Sequence, residues 1–322
     1  MEGSTTPRIA GSAATVHVPP GVDAWLAQVV EPIASVPMAT IGLVTCLAYP
    51  DVTADDQALV AALERRGHRA IAVPWNGERR AAAEVDLLLL RSAWDVWRDE
   101  TIYRRYLSWL DWVEADGPML WNPPSTARWS LDKRYVIGLS ADSVRIPETV
   151  EVVAGELAET MDERRWHQAI LKPAVGGSGD GVTLIDHDRA RAIDQCGLAS
   201  TWTPWMLQEF VPEIGSHGET SITVIDGEVT HAVRKLPKSG EYRSHRAYGA
   251  TATPVAIDQL PMSEVTALLA AVPQPLLYAR IDLVIADEVS LIEVEIVDPA
   301  LWFSISAEAA DRLAAAAVTR LP

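Results

Sequence analysis

The strongest constraint on the fold is a pair of adjacent strands that carry acidic side chains where strands normally carry apolar ones. The pair lies at 278–299, YARIDLVIADEVSLIEVEIVDP. Alternate positions in both strands are apolar: Ile281, Leu283, Ile285, Ile292, Val294 and Ile296. The opposite face then carries Arg280, Asp282, Glu293 and Glu295. The sequence therefore predicts a hairpin with one apolar face and one charged face.

The register of this hairpin decides how close its acids come to one another. A turn centred between positions 287 and 288 sets Asp282 opposite Glu293 and Arg280 opposite Glu295. Carboxylates brought this close repel unless they are protonated or bind a cation, and Mg²⁺ prefers hard oxygen ligands. The alternative is a solvated outer face on which the arginine neutralises part of the charge. The residues alone leave both interpretations open.

Charge and cysteine usage exclude several kinds of partner. The formal net charge is −17 at pH 7, which argues against nucleic acid and anionic membrane surfaces as partners. No stretch predicts a membrane-spanning helix or a secretory signal. Cys46 and Cys196 lie far apart and lack metal-type spacing, so we expect no disulfide framework and a cytoplasmic location.

The 322 residues predict an α/β protein with an arm and three domains. Residues 1–38, rich in Pro, Ser, Thr and Ala, are assigned as the amino-terminal arm. Residues 39–124 alternate strands and helices, which predicts an open parallel sheet. No G-x-G-x-x-G follows the first strand, so dinucleotide binding is not expected. Residues 125–207 and 208–322 are the two predicted α+β domains, and the second holds the acidic hairpin.

A polar cluster, Arg91, Ser92 and Asp95, follows a buried strand of the first domain. Open α/β sheets bind ligands at the carboxyl ends of their strands, so these residues are candidates for substrate contact. The alternative is a helix-capping cluster, in which Asp95 or Asp99 serves the helix that begins near Thr101. The sequence does not separate the two.

Two lysines and a glycine-rich loop are candidates for phosphate binding. Lys133 lies at the start of a predicted helix capped by Ser130, where free backbone N–H groups favour an anion. An exposed lysine that points to water is the alternative. Lys172 precedes the loop GGSGDG at 176–181, whose backbone can turn successive N–H groups toward an anion. The loop is not of the Walker A type, and a flexible hairpin turn is the alternative.

A cationic loop at 235–248 follows a hairpin predicted to turn at Asp226-Gly227. Its basic residues are Lys235, Lys238, Arg243 and Arg246. In a chain this acidic, the loop either binds an anionic partner or is solvated, and its position favours the partner. We expect this loop and the glycine loop to be ordered by nucleotide, because little apolar burial holds them.

These elements come in the order found in the ATP-grasp superfamily of carboxylate–amine ligases, which the chain resembles over about residues 41–320. The most similar branch is the glutathione-synthetase-like one, which includes the cyclo-ligase of D-cycloserine biosynthesis. That similarity is carried by VTC at 44–46, RSAWD at 91–95 and the WNPP…DKRY run at 121–135. The chain departs from the family pattern at Glu295, where many members carry Asn.

The resemblance implies an ATP-grasp fold that grips ATP and two Mg²⁺ ions between the two α+β domains. The phosphates would contact Lys133, Lys172 and Lys235, covered by Gly176, Gly177, Ser178, Gly179 and Gly181. The adenosine would contact Glu209, Phe210, Val211 and Glu219. The Mg²⁺ ligands would be Asp282, Glu293 and Glu295.

The activity implied by the resemblance is ADP-forming ligation of a small carboxylate, such as an amino acid, to an amine. Lys235 would reach the γ-phosphate and Arg280 would stabilise the oxyanion formed as the amine attacks. The candidate substrate-binding residues are Arg91, Ser92, Asp95, Arg243 and Arg246. An intramolecular cyclo-ligase and a non-catalytic nucleotide-binding module are the alternatives, and a homodimer is left open.

Overall fold

The computed structural model describes residues 38–198 and 202–322. The predicted arm at 1–38 lies outside these residues except for Met38. The strands of the described residues are β1 (Thr40–Thr45), β2 (Arg69–Pro74), β3 (Leu87–Leu90), β4 (Met119–Trp121), β5 (Thr149–Val152), β6 (Gln168–Pro173), β7 (Thr183–Asp186), β8 (Trp205–Glu209), β9 (Glu219–Ile225), β10 (Glu228–Leu236), β11 (Thr251–Val255), β12 (Tyr278–Ile285) and β13 (Val289–Glu295).

The α-helices of the same residues are α1 (Gln57–Arg65), α2 (Arg79–Ala83), α3 (Glu100–Asp116), α4 (Pro124–Leu131), α5 (Leu157–Arg164), α6 (His187–Cys196), α7 (Ile214–His217), α8 (Met262–Ala271) and α9 (Ala307–Val318). Short 3₁₀ turns occur at Lys133–Ile137, Arg246–Tyr248 and Ile257–Gln259. Among these described residues, no helix combines the length and the apolar content needed to cross a membrane.

The first sheet is parallel, with the strand order β2-β1-β3-β4, as predicted. Its central strand β3 is LLLL and is buried along its whole length, which is typical of parallel strands covered on both faces. Leu59 and Leu63 of α1 pack against Ile41 and Leu43 of β1 on one face. The open parallel domain expected from the sequence is confirmed.

The second sheet is antiparallel, with the order β5-β8-β6-β7. It has a core of its own, in which Leu157 and Met161 of α5 pack with Leu171 and Leu207. β8 runs to Glu209 and pairs with β5 and β6. A domain limit between residues 207 and 208 therefore falls inside a strand of this sheet, and the pairing moves that limit beyond Glu209.

The third sheet is antiparallel, with the order β11-β10-β9-β12-β13. β9 and β10 are joined by the predicted two-residue turn, in which Asp226 and Gly227 have φ of 54° and 77°. Positive φ at both positions matches the twist that antiparallel strands need. The acidic hairpin, β12 and β13, forms one side of this sheet.

The register of the acidic hairpin agrees with the prediction where the charges lie. Arg280 pairs with Glu295 and Asp282 with Glu293. A bulge then shifts the pairing by one residue, so that Leu291 packs in the core while Ile292 packs beside Val211 and Ile214. The prediction that Ile292 belongs to the apolar face is wrong, because counting alternate residues assumes that no extra residue is inserted.

The first and third sheets are joined through one buried side chain and one shared core. Asn122 Nδ2 donates to the carbonyls of Tyr278 and Ile296 at 2.8 and 2.9 Å, and its Oδ1 accepts from Leu277 N at 2.7 Å. The same core cluster contains Ile41 of β1, Ile225 of β9 and apolar residues of α9. These contacts place the carboxyl ends of the parallel strands beside the acidic hairpin.

Candidate active site

A cavity of about 510 Å³ lies where the three sheets meet. Segments from all three sheets reach it, and most of the predicted site residues line it. Those residues are Lys133, Lys172, Gly176, Gly177, Ser178, Gly179, Glu209, Phe210, Val211, Glu219, Lys235, Arg243, Arg280, Asp282, Glu293 and Glu295. Residues as far apart in the chain as Lys133 and Glu295 therefore come together in one site.

The acids of the hairpin are each directed toward a cation. Asp282 lies 2.8 Å from Arg280 and 3.4 Å from Lys235. Glu295 lies 2.6 Å from Arg280, and Glu293 contacts Lys133. Consequently no group of three Asp, Glu, His or Cys side chains in the described part of the chain forms a ready metal cluster. The register predicted three carboxylates close together without cations. In the structure a lysine or an arginine lies beside each of them.

Burial and pairing set the protonation of these acids in opposite directions. Burial pushes the pKa of Asp282 upward, but Arg280 and Lys235 outweigh it and hold that pKa below its usual range. Burial raises the pKa of Glu295 to about 7, and Arg280 offsets this only in part. Burial also raises the pKa of Glu219 to about 8 although Lys235 contacts it. The cations already present therefore do not fully stabilise the ionised forms of Glu295 and Glu219, and a further cation would.

Lys172 is a buried cation that has no carboxylate partner among the described residues. Its Nζ donates to Gln208 Oε1 at 2.8 Å. Burial and, to a lesser extent, the nearby Lys133 together lower the pKa of Lys172 to about 8. A group held in this way gains from an anion that enters the cavity.

The local structure around Lys133 differs from the prediction. α4 ends at Leu131, and Lys133 begins a 3₁₀ turn capped by Asp132, whose side chain accepts from Arg134 N at 3.0 Å. Ser130 does not cap a helix. Lys133 N donates to Ala174 O at 2.8 Å, so this turn is fastened to the strand that leads into the glycine loop.

The glycine loop and the cationic loop contact each other above the cavity. Tyr248 Oη donates to Gly179 O at 3.3 Å, and Tyr242 Oη donates to Val182 O at 3.0 Å. The Arg243 guanidinium lies over the Tyr248 ring, 3.6 Å from its centroid. Gly179 has φ of 72°, a conformation that glycine adopts without strain. Ordering of these loops by nucleotide stays a prediction.

Comparison with known proteins identifies this arrangement. Residues 143–309, more than half of the chain, match the model of the prokaryotic glutathione synthetase ATP-grasp domain. The chain belongs to the ATP-grasp family. Residues 41–122 match the amino-terminal domain of the D-cycloserine synthetase DcsG. The expected ATP-grasp fold and the class, an ADP-forming carboxylate–amine ligase that uses ATP and Mg²⁺, are confirmed at the level of the family.

Individual relatives show how far the likeness extends. The cycloserine biosynthesis protein DcsG of Streptomyces lavendulae is 26% identical over 302 residues, which cover 88% of this chain and 99% of the relative. The crystal structure of D-cycloserine synthetase DcsG superposes with a TM-score of 0.73 and 24% identity, covering 88% of this chain and 100% of that chain. The glutathione synthetase of a Synechocystis species is 27% identical over 212 residues, or 63% of this chain and 62% of the relative. The match thus spans less than two thirds of that glutathione synthetase.

The residues present fit an ATP-grasp site for MgATP. Carboxylate oxygens on a buried sheet face are the ligands that Mg²⁺ prefers, and the raised pKa of Glu295 shows charge that Arg280 alone does not neutralise. Asp282, Glu293 and Glu295 would hold the metal. The apolar wall formed by Phe210, Val211 and Ile292 suits a flat base. Lys133, Lys172 and Lys235 face the space that the phosphates would occupy.

Arg91 does not reach the cavity of this ATP-grasp protein. Its Nε lies 2.8 Å from Asp56 Oδ1, both residues are 2% exposed, and its Nη2 donates to Pro299 O at 3.0 Å. Ser92 is fully buried, and Asp95 accepts from Trp75 and Asn76 at 2.8 Å each. These positions contradict direct substrate contact by the three residues.

Further predicted positions lie in different surroundings from those expected. The cap of α3 is Asp99, which accepts from Ile102 N at 2.8 Å, and not Asp95. Gly181 and Arg246 are absent from the cavity lining. Arg246 lies 5.8 Å from the ring centroid of Trp302 instead. Direct contact of these two residues with ligand is therefore not supported by their positions.

Several residues of the cavity lining escaped the sequence reasoning, and three of them bear on the chemistry. Trp94 and Trp97, which flank Asp95 in the segment RSAWDVW, line the cavity. Trp97 packs so closely on the glycine loop that a Cβ at Gly177 would lie 2.5 Å from the indole Nε1. Asp298 also lines the cavity, and its place directly after the hairpin acids was the available signal. The first domain therefore contributes aromatic rings to the site rather than charges.

Proposed function

We propose that the protein uses MgATP to activate a small carboxylate, such as an amino acid, for attack by an amine. The observation that carries this proposal is the meeting of Lys133, Lys172, Lys235 and Arg280 with the hairpin acids in one cavity. A carboxylate acylates amines poorly, because it lacks a good leaving group. Cations that neutralise phosphate charge address that difficulty without a nucleophilic Ser or Cys.

The charges already present suggest how each residue acts. MgATP, when bound, supplies the phosphoryl group that converts the carboxylate into an acyl phosphate. Lys133 and Lys235 now contact Glu293 and Glu219, so they would exchange these acids for phosphate oxygens. The released Glu293, with Asp282 and Glu295, would hold two Mg²⁺ ions, and the released Glu219 would accept from the ribose hydroxyls. Arg280 would present its guanidinium to the negative charge that develops as the amine attacks.

The identity of the two substrates defines a second candidate function. The amino-terminal residues 41–122 match the corresponding domain of DcsG, a protein named for cycloserine biosynthesis. We therefore also consider that the carboxylate and the amine belong to one molecule, so that ligation closes a ring. Both reactions use the same phosphate chemistry, and only the products distinguish them.

The location and assembly of the protein stay predictions. Cys46 is buried and Cys196 exposed, and both are free thiols, which fits the cytoplasm.

A screen for ADP release tests the proposed function. Amino acids and small amines are supplied in pairs with ATP and Mg²⁺, and single molecules that carry both groups are supplied alone. Oxygen-18 in the substrate carboxylate should appear in the released phosphate, because the acyl phosphate carries one carboxylate oxygen. Release of AMP and pyrophosphate, or phosphate without the label, would contradict activation by an acyl phosphate.

Glu293→Gln provides the decisive variant for the metal assignment. It keeps the shape of the side chain and removes the charge that Mg²⁺ needs, so turnover should be abolished while the unfolding temperature stays close to that of the wild type. Glu288→Gln is the matched control, because Glu288 lies in the turn of the same hairpin and does not line the cavity. Near-normal turnover in a folded Glu293→Gln protein would remove the metal assignment.

A further inference from the structure

Asp298 is a carboxylate of the cavity that the ligase chemistry described so far does not use. It lies three residues beyond Glu295, is half-buried and lines the cavity. Within residues 38–198 and 202–322, no group forms a hydrogen bond or an ion pair with its side chain. The hairpin acids differ in this respect, since each contacts a lysine or an arginine.

The charge of Asp298 is only partly compensated by its surroundings. Burial raises its pKa to about 6, and the positive charges of Arg91, Lys133 and Arg280 do not fully offset this. At neutral pH the group is therefore mostly ionised, and one face of it is open to the cavity. A cationic group of a ligand would complete its charge and its hydrogen bonding.

The surroundings of Asp298 favour an organic ammonium group. Val297 packs with Ala93 and Val96, and Trp94 and Trp97 line the same cavity. This apolar wall suits the carbon skeleton of a small amine. The lysines of the cavity repel an ammonium group and attract phosphate. Of the two lining carboxylates without a side-chain partner among the described residues, Asp180 is exposed and Asp298 is half-buried, so Asp298 is the group that fits the ammonium.

The backbone that carries Asp298 is fixed from the first sheet. Arg91 Nη2 donates to the carbonyl of Pro299, the next residue, at 3.0 Å, while its Nε pairs with Asp56. Arg91 is enclosed between the rings of Tyr278 and Phe303, at 5.4 and 5.8 Å from their centroids. Arg91 therefore acts as a positioning residue, which holds Asp298 at the edge of the cavity without touching the substrate.

On the basis of the proposed ligase function, we propose that Asp298 binds the ammonium group of the second substrate and accepts the proton that must leave before its nitrogen can attack. The freed lone pair forms the C–N bond, and the C–O bond to phosphate breaks with its electron pair leaving on phosphate. The nitrogen loses a second proton as the amide forms, and the departing phosphate takes it up. No oxidant, reductant or further reactant is needed.

The test compares two nucleophiles with the carboxylate identified by ADP release. One is the amine identified in the same screen, which is charged at neutral pH, and the other is hydroxylamine, which is mostly uncharged. Asp298→Asn should raise the KM for the amine by about 10- to 100-fold, the equivalent of one charge-assisted hydrogen bond. Hydroxamate formation from hydroxylamine, the ATP KM and the Mg²⁺ dependence should stay unchanged.

Three further variants keep the result interpretable. Asp298→Glu should recover part of the amine KM, because the charge is restored. Asp287→Asn, which removes an exposed acid of the hairpin turn, should leave both reactions as in the wild type. Arg91→Lys should raise the amine KM and spare the ATP KM if Arg91 positions Asp298.

The outcomes that overturn the proposal are distinct. An equal loss of amide and hydroxamate, or an unchanged amine KM, would show that Asp298 does not serve the amine. A shifted Mg²⁺ dependence in Asp298→Asn would make the residue a metal ligand instead. A wild-type protein that yields neither ADP nor hydroxamate with any carboxylate would overturn the proposed function itself, and the role of Asp298 would fall with it.

Discussion

Arg91 and Arg280 are both buried arginines paired with a buried aspartate at 2.8 Å, yet their surroundings differ. Arg91 has one carboxylate partner, Asp56, a backbone carbonyl and two aromatic rings. Arg280 shares Asp282 with Lys235 and also contacts Glu295, on the wall of the cavity. The closed pair lies away from the cavity lining, although Arg91 Nη1 has no hydrogen-bond partner among the described residues, whereas the open group keeps charges at the cavity that a ligand can rearrange. Burial and pairing alone therefore do not mark a functional arginine.

The largest effect is expected from breaking the closed pair. Arg91→Met leaves the buried charge of Asp56 without its cation, although Thr53 Oγ1 still donates to Asp56 Oδ2, and the free energy of unfolding should fall by about 3–5 kcal/mol. Denaturant titration measures this loss. Adding Asp56→Asn should recover part of it, because the buried charge is gone.

The control for the closed pair is an exposed one. Arg104→Met removes an ion pair between turns of α3, with Arg104 and Glu100 both exposed, and should change stability by less than about 0.5 kcal/mol. If Arg91→Met behaved like this control, the contrast between the two buried arginines would be lost.

The open arginine should show its effect in turnover. Arg280→Met removes a donor to the charge that develops during attack, so kcat should fall by about 10²–10³-fold with little change in ATP affinity. Asp282 keeps Lys235 as a partner, which limits the loss of stability. Steady-state kinetics and ATP titration separate these readouts. Weakened ATP binding at an unchanged kcat would contradict the assignment.

Lys172 sharpens the comparison, because it is a buried cation of the cavity wall with no carboxylate partner in the described part of the chain. Its pKa of about 8 means that it is mostly protonated at pH 7. Bound phosphate favours the charged form and raises this pKa, so above pH 8 binding must take up a proton. ATP affinity should therefore fall as the pH rises above about 8, by at most about tenfold per pH unit.

Lys172→Arg tests the source of this pH dependence. Arginine stays charged throughout the range, so the slope should disappear if Lys172 causes it. Glu219 also has a pKa of about 8, and an unchanged slope in the variant would assign the effect to Glu219.

The smallest effect is expected at the glycine loop and the cationic loop, which cover the cavity. Tyr248→Phe removes the hydrogen bond to Gly179 O and should destabilise the loop contact by about 0.5–1.5 kcal/mol. Faster amide exchange at 176–182, with or without nucleotide, is the measurement. Tyr103→Phe, on α3, should leave that exchange unchanged. Equal amide protection in Tyr248→Phe and in the wild type would show that this hydrogen bond does not stabilise the contact between the two loops.

The sequence predicted the parts of the site that depend on local pattern. Alternation along the hairpin was sufficient to place Asp282 opposite Glu293, and the turn residues Asp226 and Gly227 were sufficient to place a hairpin. The bulge that moves Ile292 was not predictable, because its cause is the packing of both hairpin faces.

Contacts between segments that are far apart in the chain could not be predicted from the local sequence pattern. Arg91 lies at the carboxyl end of a parallel strand, where ligands commonly bind, but its direction depends on Asp56 and on the carbonyl of Pro299, 208 positions away. Asp298 was visible as an acid next to a proline, yet its lack of a partner emerges only once the other acids are seen with theirs. The sequence therefore predicts the chemistry of the site better than it predicts which residues line its edge.

The side chain of Asn122 has a mechanical consequence. Because it fastens the first sheet to β12 and β13, we expect these two sheets to move together, while the second sheet has its own core. Opening of the cleft would then swing the second sheet, which carries Lys172 and the glycine loop, away from the body that carries Lys235. A nucleotide that contacts both lysines would hold this cleft closed, and part of its binding free energy would offset the cost of closing it.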